Sequence, residues 1–320
     1  MRKPWTAEDV DKLIKLSVDH SHEAIAAVLG RKWSSVKHKY TDLANKGLVR
    51  KRTTLEGASN ILVTSQNDAL MVLPHRYLDM MKAEVDKALV ISDIHLPCVD
   101  WELFENLLRV SKRQGVRTCV VGGDLFDLAL FSRFPDSHAH GPEELTMGQQ
   151  AAIKFFSMLL DQFEKVYVIC GNHDFRIFGF TQGKITENQF FRFMTNISNT
   201  EKRVEFSAYR HMVLNERTRV VHPNGGGAFY VEGTREAVKY QQNILLTHIH
   251  KMGWCFDPSG RLMVVGTGAL LDPTTQAYVM TIPSGSPMWN TGGVIMQGSR
   301  FYLYPKYHTD WDKWTKTRFL

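Results

Sequence analysis

An α/β body preceded by a small all-α domain is the fold class that this 320-residue sequence predicts. Three observations lead there. From about residue 86, short apolar runs alternate with amphipathic stretches, the rhythm of βαβ units. Five of those runs stop abruptly at Asp, Asn or His. The excess positive charge sits in the first sixth of the chain, in text patterned for short helices.

The length allows one large domain and one small one, and 43% hydrophobic with 22% charged residues is ordinary for a folded protein. Cys98, Cys119, Cys170 and Cys255 are widely spaced and form no CxxC pair, which argues against a disulfide framework or a cysteine zinc site. The N-terminal MRKPWTAEDV has no apolar signal core, and no run approaches the length of a membrane span. A cytoplasmic protein with no membrane contact is expected, and no feature sets its oligomeric state. The net charge is +6, and residues 1–53 carry 12 Lys and Arg against 6 Asp and Glu. The remainder holds 27 of each sign. Such asymmetry points to a nucleic-acid-binding appendage.

Residues 1–53 read as that appendage. Thr6 caps a helix over 6–18, with Asp9 placed as in a capping box and Val10, Leu13, Ile14 and Leu16 as its apolar stripe. Ser21 caps a second helix carrying Ile25, Val28 and Leu29 and ending at Gly30. A third helix near 33–45 puts Trp33, Val36, Tyr40 and Leu43 on one face. Its other faces carry Lys32, Ser34, Ser35, Lys37, His38 and Lys39. Three short helices with a basic last one predict a helix-turn-helix whose third helix enters the major groove of DNA. Arg50, Lys51 and Arg52 follow as a short wing or a basic arm on phosphates. The text W-T-A-E-D…L…I-A-A-V-L-G-R-K-W-S-S-V-K-H-K resembles Myb/SANT-type helix-turn-helix domains over about residues 4–45. That resemblance implies DNA binding or, as in SANT-like modules, protein binding. Residues 54–85 read as a linker with a local strand at Ile61–Val63 and a short helix near 76–84.

The body spans 86–308 and leaves 309–320 as a C-terminal tail. ALVIS, TCVVGG, VYVIC, RVV and NILLT are its buried strands, being short and rich in Val, Ile and Leu. Trp101, Phe104, Leu107 and Leu108 mark a helix after the first strand. Leu145, Phe155, Phe156, Leu159 and Phe163 mark a longer one over roughly 143–164. Past residue 200 the text is strand-dominated, with hairpins at Gly253–Gly266 and Val294–Tyr304.

The five strand ends deliver Asp93 and His95, then Asp124, then Asn172, His173 and Asp174, then His222, then His248 and His250. Ligands of α/β sheets gather beyond the carboxyl ends of strands, so these side chains should meet on one rim. Three Asp, one Asn and five His together predict a site for two metal ions. Carboxylate, imidazole and amide donors without thiolate suit two divalent ions, Mn²⁺ foremost, with Fe, Zn²⁺ or Ni²⁺ as alternatives.

The order D-x-H…G-D-x-x-D…G-N-H-D…H…H-x-H resembles the calcineurin-like metallophosphoesterase superfamily over about residues 86–305. The resemblance implies a four-layer α/β/β/α sandwich with a dinuclear centre at one edge. It implies one metal on Asp93, His95, Asp124 and His250, and the other on Asp124, Asn172, His222 and His248, with Asp124 bridging. His173 is left unligated and becomes the general acid, with Asp174 as its orienting carboxylate; a metal-bridging hydroxide is the nucleophile. Asp127 has a supporting role beside a ligand imidazole, or is a turn aspartate. Two departures bear on substrate class: Thr247 replaces the usual glycine before H-x-H, and Leu128 follows Asp127 where Arg is common.

Arg176 is a candidate phosphate contact, and Gly225 and Gly226, with Gly227, could let a phosphate approach the backbone. His138 and His140 lie in a Pro/Asp/Gly-rich loop with no strand before it, and His211 ends no clear apolar run, so His222 is preferred as ligand. The function expected is a metal-dependent phosphoesterase, acting as a DNA phosphodiesterase or nuclease targeted by the helix-turn-helix. The alternatives are a phosphoesterase on small molecules or phosphoproteins with a protein-binding module, and a non-catalytic DNA-binding regulator.

Overall fold

The computed structural model describes residues 4–17, 22–46, 48–49, 80–132, 143–225, 227–276 and 288–315. The chain divides into two compact units, Met1–Pro74 and His75–Leu320.

In the first unit, α1 (Ala7–Leu16), α2 (His22–Val28) and α3 (Trp33–Asn45) follow in order. Thr6 Oγ1 accepts from Asp9 N at 3.1 Å and so caps α1. Leu13, Ile25, Leu29, Val36, Tyr40 and Leu43 close on one another as its core. Arg31 ties the start of the chain to the α2–α3 turn. It donates to the Pro4 carbonyl and to the Asp9 carboxylate at 2.6 Å each, and lies 4.2 Å over the Trp5 ring. Lys32, Ser34, Lys37 and His38 are exposed along α3, while Ser35 and Lys39 are half-buried, Lys39 pairing with Asp42 at 3.5 Å. Ser21, Arg50, Lys51, Arg52 and Ile61–Val63 lie outside the described residues.

The second unit is a mixed α/β fold with two sheets. Its strands are β1 (Lys87–Ile91), β2 (Thr118–Gly122), β3 (Lys165–Ile169), β4 (Val204–Ser207), β5 (His211–Asn215) and β6 (Thr218–Val221). β7 (Asn243–Leu246), β8 (Met252–Phe256), β9 (Met263–Thr267), β10 (Gly292–Gln297) and β11 (Arg300–Pro305) complete them. The six-stranded sheet runs β11-β10-β1-β2-β3-β4 and the five-stranded sheet β5-β6-β7-β9-β8. β1 to β4 are mutually parallel, as are β6, β7 and β9. All the metal-binding candidates therefore leave strands at the same, carboxyl, edge.

The helices are α4 (Trp101–Arg113), α5 (Glu143–Gln162), α6 (Phe175–Phe180), α7 (Glu187–Thr195), α8 (Phe229–Tyr240) and α9 (Asp312–Thr315). Asp100 caps α4 by accepting from Leu103 N at 3.1 Å. α4 and α5 bury Phe104, Leu107, Phe155 and Phe156 against Leu89, Ile91, Val121 and Val168 on one face of the larger sheet. Phe104 and Phe155 stack at 4.4 Å between centroids. Truncating either ring to Ala would cost about 3–5 kcal/mol. Ala88, Val90, Val120 and Ile169 point the other way and meet Met212, Leu214, Val220, Leu245 and Val265 of the smaller sheet. α8 covers the far face of that sheet through Phe229, Ala237 and Tyr240.

Three segments depart from the sequence reading. Residues 80–84 are extended, not helical: Met81, Ala83 and Val85 alternate inward, and Ala83 N donates to Val213 O at 2.9 Å. Residues 309–315 are not a free tail, because Trp311 and Trp314 pack on the main core. The region past residue 200 contains α8. No described helix is long and apolar enough to cross a membrane, and all four cysteines are free.

Candidate metal centre

The residues that follow β1, β2 and β7 turn back sharply. Asp93, His95, Asp124, His248 and His250 all adopt left-handed backbone angles, with φ of 52°, 50°, 49°, 75° and 49°. For residues with a Cβ such angles cost about 1–3 kcal/mol each and collect at functional sites. Hydrogen bonds between loops hold them: Asp93 N donates to Gly123 O and His95 N to Asp124 O, both at 3.0 Å. Gly171 is required where the third loop crosses, since a Cβ there would meet Asp124 Oδ1 at 2.0 Å.

Two groups of donors result. Asp93, His95 and His250 form one, and Asp124, His222 and His248 the other, each with ligand atoms within 4.8 Å of one another. Asp124 lies between them: its Oδ2 is 3.8 Å from His95 Nε2 and 3.4 Å from His222 Nε2. Asn172 Oδ1 joins the second group at 2.9 Å from His222 Nε2. His250 Nε2 is 3.3 Å from Asp93 Oδ1.

These residues fit divalent ions. Asp93 Oδ1, His95 Nε2 and His250 Nδ1 are buried with no hydrogen-bond partner. Buried polar atoms are rarely left so, and a cation would satisfy the first two at one point. Burial, helped by the charge on neighbouring His222, lowers His248 to about 4, which keeps it a neutral ligand. Burial alone would lower His222 too, but Asp124 raises it to about 9, drawing positive charge to that position.

A third group, His95, Asp127 and His173, is bonded within itself. Asp127 Oδ1 accepts from His173 Nδ1 at 2.8 Å and from His95 Nδ1 at 3.2 Å. Burial would raise the Asp127 pKa, yet the two imidazoles hold it far below the usual carboxylate range. The orienting carboxylate of His173 is thus Asp127, not the expected Asp174. The Asp174 carboxylate is spent on backbone N–H groups of Gly171, Phe126 and Leu125 at 2.8, 3.0 and 3.3 Å. It is fully buried, and burial with the nearby Asp124 charge raises it to about 6. Its work is to splice the β2 loop to the β3 loop. Arg176 is at the centre: Nη1 donates to Asp127 O at 2.8 Å and Nη2 is 3.2 Å from His173 Nε2.

Several contributors carry no sequence signal for their part in the centre, Thr247 standing out only as the residue in place of the usual glycine. Ser92 donates to Asp93 Oδ2 at 2.6 Å. Thr247 Oγ1 donates to Gly122 O at 2.8 Å and lies 2.9 Å from His222 Nδ1. Glu144 receives Ala129 N and Leu130 N at 2.8 and 3.2 Å, clamping the turn just past Asp127. Gly225 is exposed, and the Glu232 carboxylate, paired with Arg235, packs beneath Gly225 and Gly227. Gly226, His138 and His140 lie outside the described residues. His211 packs on Tyr209 and Tyr240, at 5.7 and 6.0 Å between ring centroids, rather than on the centre.

The chain is similar in fold to vacuolar protein sorting 29 from Cryptosporidium parvum, with 14% identity, 69% of this chain and 90% of that one covered, and a TM-score of 0.38. It is similar also to TT1561 of Thermus thermophilus, with 11% identity, 69% and 99% covered, and a TM-score of 0.35. A dimetal phosphatase from Danio rerio gives 12% identity, 69% and 99% covered, and a TM-score of 0.31. No protein of curated function matches the sequence. The family profile described as calcineurin-like phosphoesterase matches residues 87–256, more than half of the chain and the stretch that carries all but the N-terminal and C-terminal elements. On that match, the chain belongs to the calcineurin-like phosphoesterase family.

Proposed function

We propose that this metal-dependent phosphoesterase is a dinuclear DNA phosphodiesterase, brought to its substrate by the N-terminal helices acting as a helix-turn-helix. The observation that carries the dinuclear reading is Asp124 Oδ2, placed 3.8 Å from a His of one donor group and 3.4 Å from a His of the other. Two divalent ions there, Mn²⁺ in this reading with Fe, Zn²⁺ or Ni²⁺ equally compatible with the donor set, would neutralise phosphoryl charge and make hydroxide available near neutral pH.

The chain's own residues do the rest. Asp93, His95 and His250 would hold one ion and Asn172, His222 and His248 the other, with Asp124 shared. Asp127 accepts the Nδ1 proton of His173 at 2.8 Å, which turns Nε2 toward the substrate. From Nε2 a proton passes to the leaving oxygen. Arg176, 3.2 Å from the same Nε2, shares the corner at which the scissile phosphate arrives. Support for a DNA substrate comes from the exposed Lys32, Lys37 and His38 on α3, against a charge-balanced body.

Asp124→Asn should lower hydrolysis of bis(p-nitrophenyl) phosphate at least about a hundredfold. Lys32→Glu with Lys37→Glu should weaken DNA binding at least about tenfold while leaving that hydrolysis unchanged. Undiminished DNA affinity in the double variant would sink the targeting role and favour a protein-binding module. A Mn²⁺-loaded protein that cleaves no phosphoester would return the molecule to a DNA-binding regulator.

A further inference from the structure

Among the described residues, no carboxylate lies within ion-pairing distance of the Arg210 guanidinium. That group lies 4.7 Å over the Phe175 ring and donates to the neutral Asn224 side chain. It is half-buried, and burial lowers its pKa while the more distant charges of Asp124 and Asp174 work in the opposite direction. A guanidinium withdrawn from water is ordinarily matched by a carboxylate or a phosphate, often through two hydrogen bonds. The residue is also tied to the metal centre. Its carbonyl accepts from His222 N at 2.7 Å, and the Tyr209 carbonyl accepts from Cys170 N at 3.0 Å. It is thereby anchored to the two loops that bear His222 and Asn172. With only the neutral Asn224 and the Phe175 ring in direct contact among the described residues, the guanidinium keeps room for an incoming anion.

Arg176 and Arg210 divide this rim. Arg176 faces the proton donor, whereas Arg210 stands beside the His222 loop, with the Phe175 ring beneath it. We propose that Arg210, with Asn224, forms an anion subsite for the phosphate adjoining the scissile one, so that the centre prefers substrates with phosphates in series. The class that fits is a polynucleotide, and the inference rests on the phosphodiesterase reading above.

Calorimetric titration of the full-length, Mn²⁺-loaded protein with thymidine 5′-monophosphate and thymidine 3′,5′-bisphosphate tests it. The bisphosphate should bind roughly tenfold tighter, the worth of one charge-assisted contact. Arg210→Gln should erase that advantage while leaving the monophosphate affinity unchanged. Arg210→Lys, which keeps the charge, should retain most of it and guards against a folding defect in the Gln variant. Equal weakening of both ligands, or of neither, overturns the subsite, as does a bisphosphate with no advantage in the parent protein. An advantage that depends on Arg210 in a protein that cleaves no DNA keeps the subsite and removes the DNA reading.

Discussion

Thr247 shows how a neutral side chain governs a charged centre. Its hydroxyl donates to Gly122 O at 2.8 Å and stands 2.9 Å from His222 Nδ1, which also reaches Gly122 O at 3.0 Å. These contacts place the His222 proton on Nδ1 and leave the Nε2 lone pair for a metal. Thr247→Val keeps the shape and deletes the hydroxyl. Metal affinity, measured by competition with a chromogenic chelator, should fall about ten- to a hundredfold. Thr247→Ser should stay near the parent, and a Val variant of parental affinity would refute the role. The same scale shows where sequence proximity misleads. Asp174 adjoins His173 in the chain, but its oxygens are taken by three backbone N–H groups. Asp127, 46 residues away, reaches the imidazole.

Among the elements, the β8–β9 hairpin depends on its turn. Asp257 accepts from Leu262 N at 2.8 Å, Arg261 N at 3.0 Å and Ser259 N at 3.1 Å. Those hydrogen bonds, led by the one from Leu262, lower its pKa from 3.8 to about 2. A depressed folded-state pKa contributes stability above the unfolded value, which is lost as pH falls through the folded one. Asp257→Asn should therefore be less stable than the parent at pH 6 in urea unfolding, and the gap should narrow below pH 3.8 toward about 2. A gap independent of pH would place the effect elsewhere. Strands and the helices α4 and α5 were legible because their apolar periods are long and regular. α8 was not: FYVEGTREAVKY contains Gly233, Thr234 and two Val residues, poor helix formers. Packing overrides that weakness, since Gly233 lies so close to β9 that a Cβ would meet Val264 Cγ1 at 2.2 Å.

At the scale of the molecule, every metal-binding candidate among the described residues belongs to the unit His75–Leu320 and none to Met1–Pro74. Mn²⁺ at a hundredfold its dissociation constant should add about 2.7 kcal/mol to the larger unit, raising its Tm by roughly 5–10 °C. The smaller unit's transition should not move, and EDTA should reverse the shift. A calorimetric scan in which both transitions rise together would contradict the separation. DNA binding of the kind proposed should fall steeply with salt, because the excess charge is concentrated in residues 1–53, and salt-independent binding would count against it.

Donor identities, their order along the chain and the strands that carry them could be read from residue types and local periodicity, since these are properties of neighbours in the chain. Folding alone chose the partners. Asp127 with His173, Thr247 with His222, Glu144 with the turn past Asp127, and Arg210 with Asn224 are contacts across loops of two mixed sheets. Which atoms meet there depends on strand register and on left-handed turns such as those at Asp93 and Asp124, whose cost is met by interactions far away in sequence.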